Sequence, residues 1–222
     1  MSKQPVLLIG ASDHAKVIVD ILEKEGNNNI IGYIDSYKNI GSENAGYKIL
    51  GKEEDIERII KEFRDCKLFI AIGDNWIRKQ MKDKLDELIP DLQYISVIHP
   101  SAQIGKGVKI GIGVAIMAGA IINPYSQIGD FAIINTKTSI DHDCIIGNFS
   151  SLAPNVTLGG NVKIGDDTAI SIGAIVSHGK QIGNHALIGA GALLLDDCAD
   201  YSVMYGTPAV KIKSRIAGDK YL

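Results

Sequence analysis

The chain has 222 residues, a length that suits one large or two small domains. Its net charge of -3 produces no overall positive electrostatic field that would attract nucleic acid or an anionic membrane surface. Cys66, Cys144 and Cys198 are too few and too scattered for a disulfide framework or a CxxC metal site. The sequence shows neither a signal-peptide pattern nor an apolar run long enough to cross a bilayer. We therefore expect a cytoplasmic protein with no membrane insertion and no nucleic-acid partner.

Apolar runs and helical stretches alternate over residues 1–97. The apolar runs are PVLLIG (5–10), NIIGYID (29–35), YKILG (47–51) and KLFIAIG (67–73), and the helical stretches lie around 17–22, at EEDIERIIKEFR (53–64) and at WIRKQMKDKLDEL (76–88). This alternation predicts an α/β domain with a small Rossmann-like parallel sheet and flanking helices.

Small and polar residues follow three of these apolar runs, at the sheet edge where ligands of open α/β folds collect. The segment GASDHA supplies only the first glycine of GxGxxG, which disfavours a nicotinamide cofactor. A helix that begins after Gly10 can still offer backbone N–H groups to the phosphates of a nucleotide. The candidate substrate-binding residues at this edge are Gly10, Ser12, Asp13, His14, Asp35, Ser36, Gly73, Asp74 and Asn75.

Three of these candidates have a purely structural alternative. Asp35 either contacts a ribose or base or caps the end of its strand, and we favour binding because of its position in the fold. Asp74 is equally an N-cap for the helix that follows. His14 is either a surface histidine or a contact for sugar or phosphate.

A six-residue repeat dominates the remainder of the chain, residues 98–222. Stepping by six from Ile98 to Leu194 gives 17 branched aliphatic residues without interruption. Four residues after each lies a second, mostly small residue, a column that only Lys180 breaks. Neither an α-helix, which repeats every 3.6 residues, nor an ordinary strand, which repeats every two, explains a period of six.

A triangular parallel coil does explain this period. Three hexads make a turn of 18 residues, in which each face is a short strand and each corner a tight bend. Stacked turns at a spacing of about 4.8 Å satisfy the backbone polar groups and bury the two columns inside.

This repeat resembles that of the hexapeptide acyltransferases. The resemblance implies a left-handed parallel β-helix that assembles into a homotrimer, with active sites between subunits. A small α/β domain before the β-helix is similar to the bacterial N-acetyltransferases of nucleotide-linked 4-amino-4,6-dideoxy sugars, including perosamine and bacillosamine-pathway enzymes. The resembling stretches are GASDHAKV, LFIAIGDNWIR, VIHPSA, IMAGAIIN, INTKTSIDHDCIIG and YGTPAVKIK. This chain departs from the family pattern at Asp13, often a glycine there, and at Ser151, often a histidine there.

Among the five histidines, His142 stands in the segment Asp141-His142-Asp143, which the repeat places at a corner of the coil. Acyl transfer to an amine requires a base and donors for the developing oxyanion. The resemblance implies that His142 is the base and that Asp143 is its partner, whereas the residues alone leave Asp141 as an equal candidate. The alternative is a solvated polar corner.

The 18-residue period places two further residues on the same edge as His142. Gly160 is expected about 4.8 Å from His142 with its N–H facing the thioester oxygen, a role that the family also implies. His178 is expected about 10 Å away, lining the pantetheine groove or simply exposed. The resemblance adds Ser151 as an acetyl-CoA contact. A metal site formed by His142, His178 and His185 is disfavoured, because zinc requires converging ligands.

The sequence therefore predicts an acetyl-CoA-dependent N-acetyltransferase that acts on a nucleotide-linked amino sugar without a metal. Two alternatives remain open at this point. One is O-acetylation of a sugar such as sialic acid, and the other is a non-catalytic nucleotide-binding β-helix protein.

Overall fold

A computed structural model describes residues 3–63 and 65–221 of the chain. The chain divides into two compact units, residues 1–100 and 101–222, a division three residues beyond the boundary predicted from the repeat. Arg64, the last residue of the predicted helical stretch 53–64, lies outside the described residues.

The first unit is a five-stranded sheet with helices. Its elements in chain order are β1 (Gln4–Ile9), α1 (Asp13–Glu25), β2 (Asn28–Ile34), β3 (Glu43–Asn44), β4 (Tyr47–Gly51), a 3₁₀ turn (Glu53–Asp55), α2 (Ile56–Glu62), β5 (Lys67–Ile70), α3 (Asn75–Leu88) and β6 (Val97–Ile98). The strand order is β3-β4-β2-β1-β5. All pairs are parallel except the β3–β4 hairpin. The predicted parallel sheet is confirmed; the hairpin strand β3 was not predicted.

The core of this unit lies around β1, which pairs with β2 on one side and β5 on the other. Its residues Val6 to Ile9 are at most 1% exposed, and such a continuous apolar run is typical of a central parallel strand covered on both faces. The carboxyl ends of β1, β2 and β5 share one edge, which holds the candidate substrate-binding residues.

The second unit is a β-helix of two-residue strands followed by a hairpin, and the predicted fold class is confirmed. The short strands are β7 (Gln103–Ile104), β8 (Lys109–Ile110), β9 (Ala115–Ile116), β10 (Ile121–Ile122), β11 (Gln127–Ile128), β12 (Ile133–Ile134), β13 (Ser139–Ile140), β14 (Ile145–Ile146), β15 (Ser151–Leu152), β16 (Thr157–Leu158), β17 (Lys163–Ile164), β18 (Ala169–Ile170), β19 (Ile175–Val176), β20 (Gln181–Ile182), β21 (Leu187–Ile188) and β22 (Leu193–Leu194). The hairpin is β23 (Ser202–Gly206) and β24 (Ala209–Ser214).

Every third strand pairs in parallel with a register of 18 residues, as for Ile122 with Ile140 and Ile140 with Leu158. The strands therefore form three faces. The first face carries β7, β10, β13, β16, β19 and β22. The second carries β8, β11, β14, β17 and β20. The third carries β9, β12, β15, β18 and β21, followed by the hairpin.

Both residue columns predicted to point inward do so. From Ile116 to Leu194, each member of the aliphatic column is at most 3% exposed. The hydroxyls in the small column are satisfied inside the coil: Ser126 Oγ, for example, donates to Asp141 O at 2.9 Å and accepts from Cys144 N at 3.1 Å. The repeat thus fixes the side-chain register of each corner.

The corners need left-handed backbone. From Ile104 to Ile188, the residue three after each aliphatic of the column has a positive φ; Asp143 has 58° and Asn161 61°. The second corner, which joins the second face to the third, carries a ladder of side chains, each capping the backbone N–H of a residue one coil earlier. The members of this Asx ladder are Asp130, Asn148, Asp166, Asn184 and Asp200, with N–H to Oδ1 distances of 2.7–2.9 Å.

Candidate active site

His142 lies at the first corner, which joins the first face to the second between β13 and β14. The inward residues Ile140 and Cys144 on either side are fully buried, and they hold the corner in place. The His142 side chain is 48% exposed, so its ring is open to a ligand.

The structure distinguishes the two aspartates beside this ring. Asp143 Oδ2 lies 2.8 Å from His142 Nδ1. Asp141 Oδ1 instead accepts hydrogen bonds from the His142 backbone N–H at 2.8 Å and from Asn123 Nδ2 at 3.1 Å. Asp143 therefore orients the imidazole, and Asp141 holds the corner backbone. With Nδ1–H directed at a carboxylate, Nε2 keeps the lone pair that a general base needs.

The Asp143 carboxylate also raises the pKa of His142, through its hydrogen bond and, with Asp141, through its charge. A general base must be neutral, so the prediction that His142 is the base makes us expect kcat/KM to rise with pH as His142 loses its proton. Asp143→Asn removes the stabilising charge, so the acid limb of the pH profile should move to lower pH while the plateau falls. Rates measured between pH 5 and 9 test this; an unshifted limb would contradict the pairing.

Gly160 lies one coil beyond His142 on the same ridge. A Cβ built on Gly160 would lie 2.7 Å from His142 Nε2 and 2.8 Å from Cε1. The glycine therefore leaves room for the ring. The N–H groups at the equivalent place on the second corner are capped by the Asx ladder, whereas within residues 3–63 and 65–221 the Gly160 N–H has no hydrogen-bond partner. Its hydrogen-bonding capacity is therefore unused, although Gly160 is buried beneath the His142 ring.

His178 lies one coil beyond Gly160 and is exposed. Its ring centroid is 6.4 Å from that of His142, with the ring planes tilted by 56°. Coil spacing alone gave about 10 Å. The two rings come closer than that spacing because the residue between them has no side chain.

Ser151, the other expected acetyl-CoA contact, lies in β15 on the third face. The first corner joins the other two faces, so a single chain does not bring Ser151 to His142. His185 is also remote from the first corner. It lies at the second corner, stacked on Tyr201 at 4.9 Å and 3.6 Å from Asp167. Within the described part of the chain, no three His, Cys, Asp or Glu side chains are grouped to hold a metal ion.

The candidate residues of the first unit do meet at one edge of the sheet. Gly10 directly follows β1 and has a φ of 91°, and a Cβ there would lie 2.9 Å from Ile72 Cγ1. Asp35, at the end of β2, accepts from Ala11 N at 2.8 Å through one oxygen and from Tyr37 N at 2.8 Å and Lys38 N at 3.1 Å through the other. Its carboxylate thus ties together the two loops of this edge.

The loop after β5 is held in a similar way. Asp74 caps α3 by accepting from Ile77 N at 2.9 Å, the structural alternative considered above. The buried Arg78 guanidinium donates to Ile72 O and Gly73 O, and to Asn75 Oδ1, each at 2.9 Å. Gly73, Asp74 and Asn75 therefore form a rigid rim.

His14 lies beside this rim, since a Cβ on Gly73 would be 3.7 Å from His14 Cβ. Its Nε2 is buried and has no hydrogen-bond partner among the described residues. Burial, and secondarily the charge of Arg78, lowers the pKa of His14 to about 4. His14 is therefore a neutral imidazole near pH 7, with one ring nitrogen whose hydrogen-bonding capacity no described residue satisfies. The exposed alternative is disfavoured.

Ser12 and Asp13 begin α1. Ser12 occupies the N-cap position without making a side-chain cap. Asp13 is almost fully exposed and pairs with Lys16 at 2.7 Å. The hydrogen bond and charge of Lys16 lower the pKa of Asp13.

Two residues that the sequence did not single out also shape this edge. The buried Asn44 donates from Nδ2 to Ala11 O at 3.1 Å, and the buried Glu53 accepts from Ser36 Oγ and lies 3.7 Å from Lys84 Nζ. Asn44 ends β3, a strand that was not predicted, and Glu53 begins the predicted helical stretch 53–64. The signal that could have found Glu53 is a carboxylate in a 3₁₀ turn directly after β4.

Comparison with known proteins is consistent with both units. The PglD N-terminal domain family matches residues 5–85. UDP-N-acetylbacillosamine N-acetyltransferase of Bacillus subtilis (strain 168) is 31% identical over 114 residues, 51% of this chain and 51% of that protein. The match thus spans about half the length of this curated relative.

Among solved structures, a mutant of perosamine N-acetyltransferase from Caulobacter crescentus, in complex with CoA and GDP-perosamine, is 33% identical. The match covers 96% of this chain and 99% of that one, with a TM-score of 0.89. This chain belongs to the family of bacterial nucleotide-sugar N-acetyltransferases. A second solved structure of similar fold is the acetyltransferase domain of PglB from Neisseria gonorrhoeae FA1090, in complex with acetyl coenzyme A. It is 29% identical with a TM-score of 0.87, over 95% of this chain and all of that domain.

Family membership confirms the resemblance drawn from the repeat, from the small α/β domain before it and from the six resembling stretches. None of the helices in residues 3–63 and 65–221 has the length and apolar character needed to cross a membrane.

Proposed function

We propose that this protein transfers the acetyl group of acetyl-CoA to the 4-amino group of a nucleotide-linked 4-amino-4,6-dideoxy sugar. The observation that carries the proposal is the contact of His142 with Asp143, directly beside the free N–H of Gly160. The relatives crystallised with CoA and GDP-perosamine, and with acetyl coenzyme A, support both substrates.

The proposed reaction is direct attack on the thioester. His142 Nε2 takes a proton from the amine as its nitrogen forms a bond to the acetyl carbon. The Gly160 N–H donates to the carbonyl oxygen as negative charge develops there. The C–S bond then breaks, and CoA leaves. Asp143 stabilises the imidazolium while His142 holds the proton.

The first unit supplies nucleotide recognition in this proposal. The N-terminus of α1 offers N–H groups and a favourable dipole to a phosphate. The unpartnered Nε2 of His14 offers a contact to sugar or phosphate. The fixed loops around Asp35 and Gly73 hold these groups in place.

We further propose a homotrimer with its active sites between subunits, in the cytoplasm. Ser151 lies on a different face from His142 within one chain, so a joint contact with one acetyl-CoA would require the third face of a neighbouring copy. Sedimentation analysis of the purified protein tests this, and a monomeric active enzyme would contradict it.

The test of function is release of free thiol from acetyl-CoA, assayed with UDP-, GDP- and dTDP-linked 4-amino sugars. We expect turnover with at least one of them and an acetylated product that survives hydroxylamine, as an amide does. A hydroxylamine-labile product would indicate O-acetylation. Nucleotide binding without thiol release in any assay would indicate a non-catalytic protein.

Substitution of Asp35 separates binding from catalysis. Asp35→Ala leaves the N–H groups of Ala11, Tyr37 and Lys38 without their acceptor. We expect the KM for the nucleotide sugar to rise more than kcat falls, with a loss of about 1–3 kcal/mol in unfolding free energy. Steady-state kinetics and urea denaturation measure both effects. A destabilised variant with unchanged KM would assign Asp35 a structural role alone.

A further inference from the structure

The first corner presents three residues at the same place in three successive coils, each 18 residues from the next: His142, Gly160 and His178. The proposed function uses the first two. His178 has no role in it, yet its exposed ring lies 6.4 Å from the His142 ring, on the far side of Gly160.

The free N–H of Gly160 fixes where a thioester would lie on this ridge. A carbonyl oxygen that accepts this N–H would have its acetyl carbon on the ridge beside Gly160, between the corners that carry His142 and His178. The attacking nitrogen must be next to His142 Nε2, because that atom takes its proton. The sulfur occupies another substituent position of the same carbon, and the next side chain along the ridge on the side away from His142 is that of His178.

Backbone hydrogen bonds hold this ridge in a fixed spacing. Asn161 N donates to His142 O and Gly179 N donates to Gly160 O, each at 2.9 Å. A Cβ on Gly159 would lie 2.8 Å from His178 N, so the backbone of the His178 corner packs closely on the coil before it. The backbone of His178 is thereby held at a set distance from Gly160, while its imidazole is exposed on the ridge.

We propose that His178 is a second catalytic residue, which hydrogen-bonds to the departing sulfur and donates a proton to it. This inference rests on the proposed function. As the C–S bond of the tetrahedral intermediate breaks, its electron pair goes to sulfur and the proton of the protonated His178 imidazole makes the free thiol of CoA. His142 ends with the amine proton and His178 ends neutral. Solvent restores both rings, since both are exposed.

A donor with a better leaving group tests this role. Acetyl-seleno-CoA differs from acetyl-CoA only in having selenium in place of the thioester sulfur. Because a selenol is a stronger acid than a thiol, the selenolate leaves with less need for a proton donor. We expect His178→Ala to lower kcat with acetyl-CoA by at least about tenfold, while kcat with acetyl-seleno-CoA falls by less than about twofold. His178→Gln, which keeps a donor but has no acidic proton, should behave as His178→Ala does.

The matched control is Asp196→Ala, which alters the next residue along the ridge, 18 positions beyond His178 and also exposed. We expect it to leave both rates unchanged. An equal loss with the two donors, or a change confined to the KM for acetyl-CoA, would make His178 a binding contact and overturn the proposal. If the unaltered enzyme releases no thiol with any amino sugar, the proposed function itself fails, which is a different result.

Discussion

Replacement of His142 by alanine is expected to lower kcat by about 10²–10⁴-fold with every amino-sugar acceptor, because it removes the group that we propose takes the amine proton. The loss should appear in kcat rather than in the KM values, since the base contributes most as the nitrogen attacks. Thiol-release kinetics with saturating acceptor measure it.

The fold should tolerate this change. The His142 side chain is about half exposed and contributes no part of the buried column. Lys106→Ala is a suitable control, because Lys106 is exposed and has the same place in the repeat two coils earlier. Both variants should unfold at the same temperature as the original protein. Full activity of His142→Ala would eliminate this residue as the base.

Replacement of Gly160 by alanine is the second large effect that we expect, a loss of at least about 100-fold in kcat. The added methyl would lie 2.7 Å from His142 Nε2 and 2.8 Å from Cε1, so the ring must rotate away from the thioester site. The backbone of Gly160 is not in the left-handed region, and alanine is therefore compatible with its conformation. A catalytic defect without a folding defect should result.

A double-mutant cycle shows whether Gly160→Ala acts through His142. If the methyl harms catalysis by displacing the imidazole, the change should cost nothing further once His142 is already alanine. Strictly additive losses would contradict that explanation. They would assign the effect to the N–H donor instead.

The sequence predicted the fold well because the hexad pattern is a local rule repeated without a break. Each aliphatic residue at a sixth position specifies an inward side chain and therefore places every corner residue, His142 included. The Rossmann-like sheet of the first unit was also predictable from local sequence, because an uninterrupted apolar run such as PVLLIG indicates a buried strand.

Side-chain geometry at the corners was less predictable. Asp141 and Asp143 are equivalent in sequence, and only the left-handed backbone of Asp143 turns its carboxylate toward the ring. The distance between His142 and His178 was overestimated because coil spacing describes backbones, whereas the rings lean together over a glycine. The hydrogen bonds that Asp35 accepts join two loops that are distant in sequence, and no local sequence pattern reveals such a contact.

The Asx ladder of the second corner alternates carboxylates and carboxamides, in the order Asp130, Asn148, Asp166, Asn184 and Asp200. Neighbouring negative charges are therefore two coils apart, about 10 Å, a distance at which physiological salt largely screens them. Hydrolytic ageing of Asn148 or Asn184 to aspartate would remove that separation and line up three carboxylates in consecutive coils. The long-term stability of the β-helix thus depends on the side-chain amides of Asn148 and Asn184, which lie at a different corner from His142.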